Sequence, residues 1–89
     1  AREFAVLESL SGLASSEAWR WREALLARLE RGEPFSGYEV AEATCRSITG
    51  LDDERAWALR EDAYQVAPAD AIQSLSGASS PRARDIKVP

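Results

Sequence analysis

The stretch SLSGLASSEAWRWRE at residues 9–23 returns as SITGLDDERAWALRE at residues 47–61. The offset is 38 with no gap, and seven of the fifteen positions are identical: Ser, Gly, Leu, Ala, Trp, Arg and Glu. The chain holds three tryptophans, and two of them, Trp19 and Trp57, fall on one matched position. A weaker third copy, SLSGASSPRARDIK, starts at Ser74, 27 residues after the second. It keeps the Ser, Gly and Ala positions and carries Arg84 in place of the tryptophan. Self-similarity at a fixed spacing marks architectures in which each unit buries its apolar face only by lying against a neighbour. The spacings differ by 11 residues, so 27 is the basic unit and the longer copy carries an insertion. Alignment from both ends places it between about Leu29 and Val40, around GEPFSGY at residues 32–38.

Each unit reads as two short helices. The first opens at Ser15, Asp53 or Ser80, whose side-chain oxygens suit an N-cap. The next residue is Ser16, Glu54 or Pro81, and proline is favoured at the first helical position because it has no N–H to leave unpaired. Ala18, Trp21, Leu25 and Leu29, flanked by Trp19 and Leu26, form one wide helical stripe; Ala56, Trp57, Leu59, Ala63 and Tyr64 repeat it. The second helix closes at Gly12, Gly50 or Gly77, where a left-handed residue is required. Pro68 opens the helix that ends at Gly77. The helix that ends at Gly50 starts instead with a capping box, Ser36 and Glu39, and a Phe35–Val40 staple. No segment alternates with period two between turn residues, so strands are not expected. The sequence predicts an all-α chain of six helices, about 2–11, 16–31, 37–49, 54–66, 68–76 and 81–87. They form one domain over 1–87, with units at about 1–15, 16–53, 54–80 and a partial unit 81–87, and residues 88–89 as a tail.

Helix pairs joined at a glycine, in units near 30 residues, resemble the HEAT-like and armadillo-type repeats of α-solenoids. The resemblance spans nearly the whole chain and implies stacked antiparallel hairpins, with a compact six-helix bundle as the alternative. The pattern SLSGLxSxxAWxxRE is also similar to helical-repeat extensions of thymidylate-kinase-like proteins. The phosphate-binding pattern GxxxxGK[ST] is absent, so the chain cannot itself carry phosphoryl transfer.

Composition narrows the function. The 89 residues include no histidine, which removes His-dependent triads and His-ligated zinc, and one cysteine, which removes intrachain disulfides and Cys clusters. No apolar run approaches the roughly 20 residues of a membrane span. Residues 1–78 carry eight basic and 14 acidic groups, a net of −6, whereas Arg82, Arg84, Lys87 and Asp85 make the end +2. An acidic body repels phosphate, which argues against nucleic acid. Ten arginines against one lysine, with 16 alanines, fit a GC-rich bacterial source. The absence of methionine points to a piece of a longer protein. With one thiol and no export signal in view, the expected compartment is the cytoplasm.

No residue stands out as catalytic, cofactor-binding or metal-ligating. Cys45 aligns with Leu7 and Ile72, so it reads as a small core hydrophobe with no base to activate it. Asp52, Asp53 and Glu54 read as helix-start acids rather than a cation site. Arg22 and Arg60 recur, and Arg60 reads as structural, reaching a carboxylate or the carbonyls of a preceding helix end. Trp19 and Trp21 lie two apart on a helix and point in different directions, so one of them is open to a partner. Trp21, Phe35 and Tyr38 are the expected contact residues, the last two on the insertion. The expected function is a non-catalytic protein-interaction or scaffolding module. Its partner would be another protein, the rest of a parent chain or a second copy. The alternative is a regulatory or substrate-presenting extension of a larger enzyme such as a nucleotide kinase.

Overall fold

Four of the six helices begin where the sequence supplies a cap or a proline. The computed structural model of the chain describes residues 2–31 and 37–87, and every regular element among them is an α-helix. These are α1 (Arg2–Ser9), α2 (Ser16–Arg31), α3 (Gly37–Ser47), α4 (Glu54–Tyr64), α5 (Pro68–Gln73) and α6 (Pro81–Lys87). Ser15 Oγ accepts from the Ala18 amide at 3.1 Å, Asp53 Oδ1 from Ala56 at 2.9 Å and Ser80 Oγ from Ala83 at 3.2 Å. Each bond satisfies one of the free amides at a helix start. Pro68 and Pro81 occupy the first helical positions of α5 and α6. The Ser36–Glu39 box and the Phe35 staple fall on residues outside those described.

Helices α1, α3, α4 and α5 stop two or three residues earlier than expected. Beyond α1, α3 and α5 the chain tightens into turns closed by bonds three residues apart, such as Leu13 N–H to Leu10 O at 2.9 Å and Leu51 N–H to Ile48 O at 3.0 Å. Short i to i+3 closure of this kind is a common way to satisfy the last carbonyls of a helix. The chain then turns at Gly12, Gly50 and Gly77, with φ of +79°, +84° and +90°. The extra residues of the longer unit are not confined to a loop. They lengthen both helices: α2 has 16 residues where α4 has 11, and α3 has 11 where α5 has six.

Helix α3 lies at the centre, packed against α1, α2, α4 and α5. Leu7, Leu25, Leu26, Leu29 and Ala43 form one core cluster where α1, α2 and α3 meet. Ala41, Cys45, Ala63, Ala67 and Ala71 form a second between α3, α4 and α5, where small side chains let the backbones approach. Two further clusters are built from matched positions. Trp19 packs with Ile48, Leu51 and Ala56, and Trp57 packs with Leu75, Ala78 and Ala83. The result is a compact six-helix globule with a radius of gyration of 12.3 Å.

Two expectations about burial fail. Tyr64 and Ile72 were assigned to the apolar stripe and to a core position, yet they are 51% and 41% exposed. The residues aligned with Ile72, Leu7 and Cys45, are buried as expected. The difference is positional: a helix lies against Leu7 and Cys45, and none of the described residues covers Ile72.

Candidate interaction surface

The recurrent arginines carry matched sets of buried hydrogen bonds. Arg22 is fully buried. Its Nε donates to Ser47 Oγ at 2.8 Å, and its Nη2 donates to the carbonyls of Leu10, Leu13 and Ser47 at 2.7, 2.9 and 3.2 Å. Arg60 repeats the set: Nε to Ser74 Oγ at 2.7 Å, and Nη2 to Ile48, Leu51 and Ser74 at 3.0, 2.8 and 3.3 Å. Each guanidinium thus joins the C-terminal ends of two helices, α1 with α3 and then α3 with α5. Among the described residues no carboxylate forms a hydrogen bond or ion pair with either cation. The negative ends of the helix dipoles stand in for one. Burial lowers both guanidinium pKa values, with acidic neighbours opposing: Asp53 for Arg22, and Asp52 first for Arg60. Both remain cations. The Nη1 groups are buried without a hydrogen-bond partner among the described residues. Each guanidinium lies over its neighbouring indole, Arg22 at 4.4 Å from Trp19 and Arg60 at 4.7 Å from Trp57, so the ring face offsets part of that deficit.

A second cation approaches each ring from the first helix of the following unit, Arg55 on α4 at 5.9 Å from Trp19 and Arg82 on α6 at 4.3 Å from Trp57. Trp19 Nε1 donates to Asp53 Oδ2 at 2.9 Å. Asp52 reaches forward in the same way. It accepts from the Ser79 and Ser80 amides at 3.2 and 3.3 Å and from Ser80 Oγ at 2.7 Å. The Ser80 hydroxyl above all holds its carboxyl below the ordinary range. Asp53 therefore caps α4 and bonds Trp19, and Asp52 ties the start of α6 to the preceding turn. Among the described residues no group of three or more His, Cys, Asp or Glu could hold a metal ion.

The structure separates the expected contact residues. Trp19 is buried at 2% exposure and Trp21 is open at 55%. Tyr38 is half exposed in the first turn of α3, and its hydroxyl donates to Asp70 Oδ2 on α5 at 3.2 Å. Asp70 raises the phenol pKa by its charge and by that bond, and Glu42 adds to the effect. No hydrogen bond or cation–π contact joins Tyr38 to Trp21 among the described residues. Phe35 lies outside them. Cys45 is buried, and desolvation, helped by Asp70 and opposed by Arg60, pushes its thiol up to about 11. It is a protonated core residue and a poor nucleophile.

One surface was not anticipated. A groove of about 520 Å³ runs between α4, α5 and α6, with Tyr64, Ile72 and Ile86 on its walls and Trp57 and Arg60 at its base. The sequence signal for it is the third repeat copy, which supplies α6. Among the described residues no helix is long and apolar enough to cross a membrane. Comparison with protein-family models, curated sequences and solved structures returned no match.

Proposed function

We propose that this chain is a non-catalytic protein-interaction module, a short scaffold of stacked HEAT-like helical hairpins. The observation that carries the reading is the arginine clamp, which recurs with the same donors and matched acceptors at Arg22 and Arg60. Such a clamp fixes each helix pair against the next, which gives a rigid surface rather than an adaptable pocket. Rigid surfaces bind with less ordering cost. Trp21 and Tyr38 are exposed aromatic anchors, and Phe35 on the insertion is the third expected contact. The acidic body favours a partner with a basic patch and speeds its encounter. The compartment that fits a single buried thiol is the cytoplasm.

The test is site-specific photo-crosslinking in cells. A benzophenone side chain in place of Trp21 or Tyr38 should give discrete protein adducts, and the same group at exposed Arg20 should give far less. Tyr38→Ala should weaken capture and leave the unfolding midpoint nearly unchanged. Adducts spread evenly over all three positions would refute a dedicated interaction surface.

A further inference from the structure

We infer that α2 is the interface of a two-fold symmetric dimer: it pairs antiparallel with α2 of a second copy along a seam of Glu17, Trp21, Ala24 and Arg28. The inference rests on the interaction-module reading above, which takes Trp21 as an anchor, and it names the occupant of that surface. The four residues are spaced by four, three and four, so they form one line along a 16-residue helix. All four are exposed, Trp21 at 55% and the Arg28 side chain at 65%. The core side of the same helix is complete without them, since Ala18, Trp19, Arg22, Leu25, Leu26 and Leu29 are all buried. The internal packing of the chain therefore uses none of the four, and it leaves a large indole in the middle of an open helix face.

The line is complementary to its own reverse. In an antiparallel pair with the two-fold axis between residues 22 and 23, Glu17 of one copy stands opposite Arg28 of the other, and Trp21 opposite Ala24. Each contact then occurs twice, as a two-fold axis requires. The two indoles fill the space above the two alanines, whose small side chains let the helices approach. The result is an apolar centre with charged ends, the ordinary anatomy of a protein interface. Arg20 and Ala27 fall on the outer flank of the seam. Parallel pairing would instead set Glu17 on Glu17 and Arg28 on Arg28, and like charges in register disfavour it.

Charge complementarity fixes the choice of a second copy. Arg28 meets Glu3 of its own copy at 3.4 Å, but that bridge is open to solvent. A guanidinium has five N–H donors, enough to take a second carboxylate beside the first. Glu17 forms no ion pair among the described residues. Across the seam it completes a triad of Glu3, Arg28 and Glu17 of the second copy, once at each end. The net charge of −4 on each chain opposes the approach. Physiological salt screens that repulsion beyond about 8 Å and spares the contacts inside the seam. A four-residue seam is short, so the dimer is a weak one at the small end of specific interfaces.

Sedimentation equilibrium of the 89-residue chain from micromolar to millimolar concentration, at about 0.15 M salt, tests this. The average mass should rise from 9.8 kDa to twice that value and no further. Ala24→Arg puts a bulky cation at the centre of the seam and should raise the dissociation constant about tenfold or more. Glu17→Arg and Arg28→Glu each set like charges opposite one another, so each alone should stay monomeric where the wild type dimerises. An equimolar mixture of these two should form a 1:1 dimer, because each chain then supplies the charges that the other needs. All three positions are exposed, so the helical circular dichroism should be kept; if Ala24→Arg loses it, the two charge variants carry the test. A wild type that stays monomeric, or that grows past a dimer, overturns the pairing. So does a dimer that folded Ala24→Arg leaves intact, or a mixture of folded charge variants that fails to pair. A monomeric wild type leaves the interaction-module reading standing, because that reading is judged by crosslinks from Trp21 and Tyr38 to other proteins.

Discussion

Replacement of Arg60 by alanine tests the clamp directly. The substitution removes a buried cation whose Nε and Nη2 serve the Ser74 hydroxyl and the carbonyls of Ile48, Leu51 and Ser74. Hydrogen bonds to a charged donor contribute about 1.5–3 kcal/mol each, but they share one side chain and do not add. Relief of the desolvation of the guanidinium, itself several kcal/mol, acts in the opposite direction. The net expected loss is about 3–5 kcal/mol, since buried acceptors are left without donors. An 89-residue domain holds on the order of 4–13 kcal/mol in all, so the variant should sit near the edge of folding. Arg60→Lys keeps the charge and loses the planar fork, and it should fall between wild type and Arg60→Ala. Urea denaturation followed by far-ultraviolet circular dichroism reads these shifts. A cycle with Ser74→Ala should return a coupling of about 1–2 kcal/mol. An Arg60→Ala loss under about 1 kcal/mol, or strict additivity with Ser74→Ala, would refute the clamp as a structural element.

Trp57→Ala should cost about 3–5 kcal/mol in the same assay, because the ring is 5% exposed among Leu75, Ala78 and Ala83. A change within error would remove the ring from the core. Gly50→Ala should cost about 1–2 kcal/mol, since φ is +84° and the new Cβ would stand 3.4 Å from the Ser76 carbonyl oxygen. A neutral result would mean that the turn relaxes freely. The raised thiol pKa of Cys45 gives stability a downward slope in alkali. The unfolded chain releases its thiol proton from about pH 8.5, while the folded chain keeps it until about 11. The contribution is intact below that window and is lost across it, up to about 3 kcal/mol. Cys45→Ala should therefore lose stability less steeply between pH 9 and about 11, and parallel slopes for the two proteins would contradict the assignment.

Helix starts were legible in the sequence because their causes are local. Asp53 and Ser80 carry their own caps, and Pro68 and Pro81 fix the first backbone angle. Helix ends were less legible, because the last turns tighten in response to what packs beyond them. The recurrence of Arg22 and Arg60 was visible, but their shared serine acceptors were not. Ser47 lies 25 residues after Arg22, while Ser74 lies 14 after Arg60, so the insertion hides the match. Two-residue spacing showed that Trp19 and Trp21 diverge but not which one enters the core. The misassignment of Ile72 has a single physical cause. Alignment reports what a position can accept, whereas burial depends on whether a neighbour arrives to cover it.

The acceptors of Arg22 and those of Arg60 share no residue, and neither set includes α6. The last helix is fastened by Asp52 with Ser80, by the exposed Arg82–Glu61 bridge, 3.0 Å long, and by Ala83 and Arg82 against the Trp57 ring. The terminal segment can therefore peel away while both clamps stay closed, a local opening well below the global unfolding energy. Amide protons of residues 84–87 should then exchange with deuterium ahead of those in α3. Such peeling would wet one side of the Trp57 indole, so its emission would redden before the remaining helices melt.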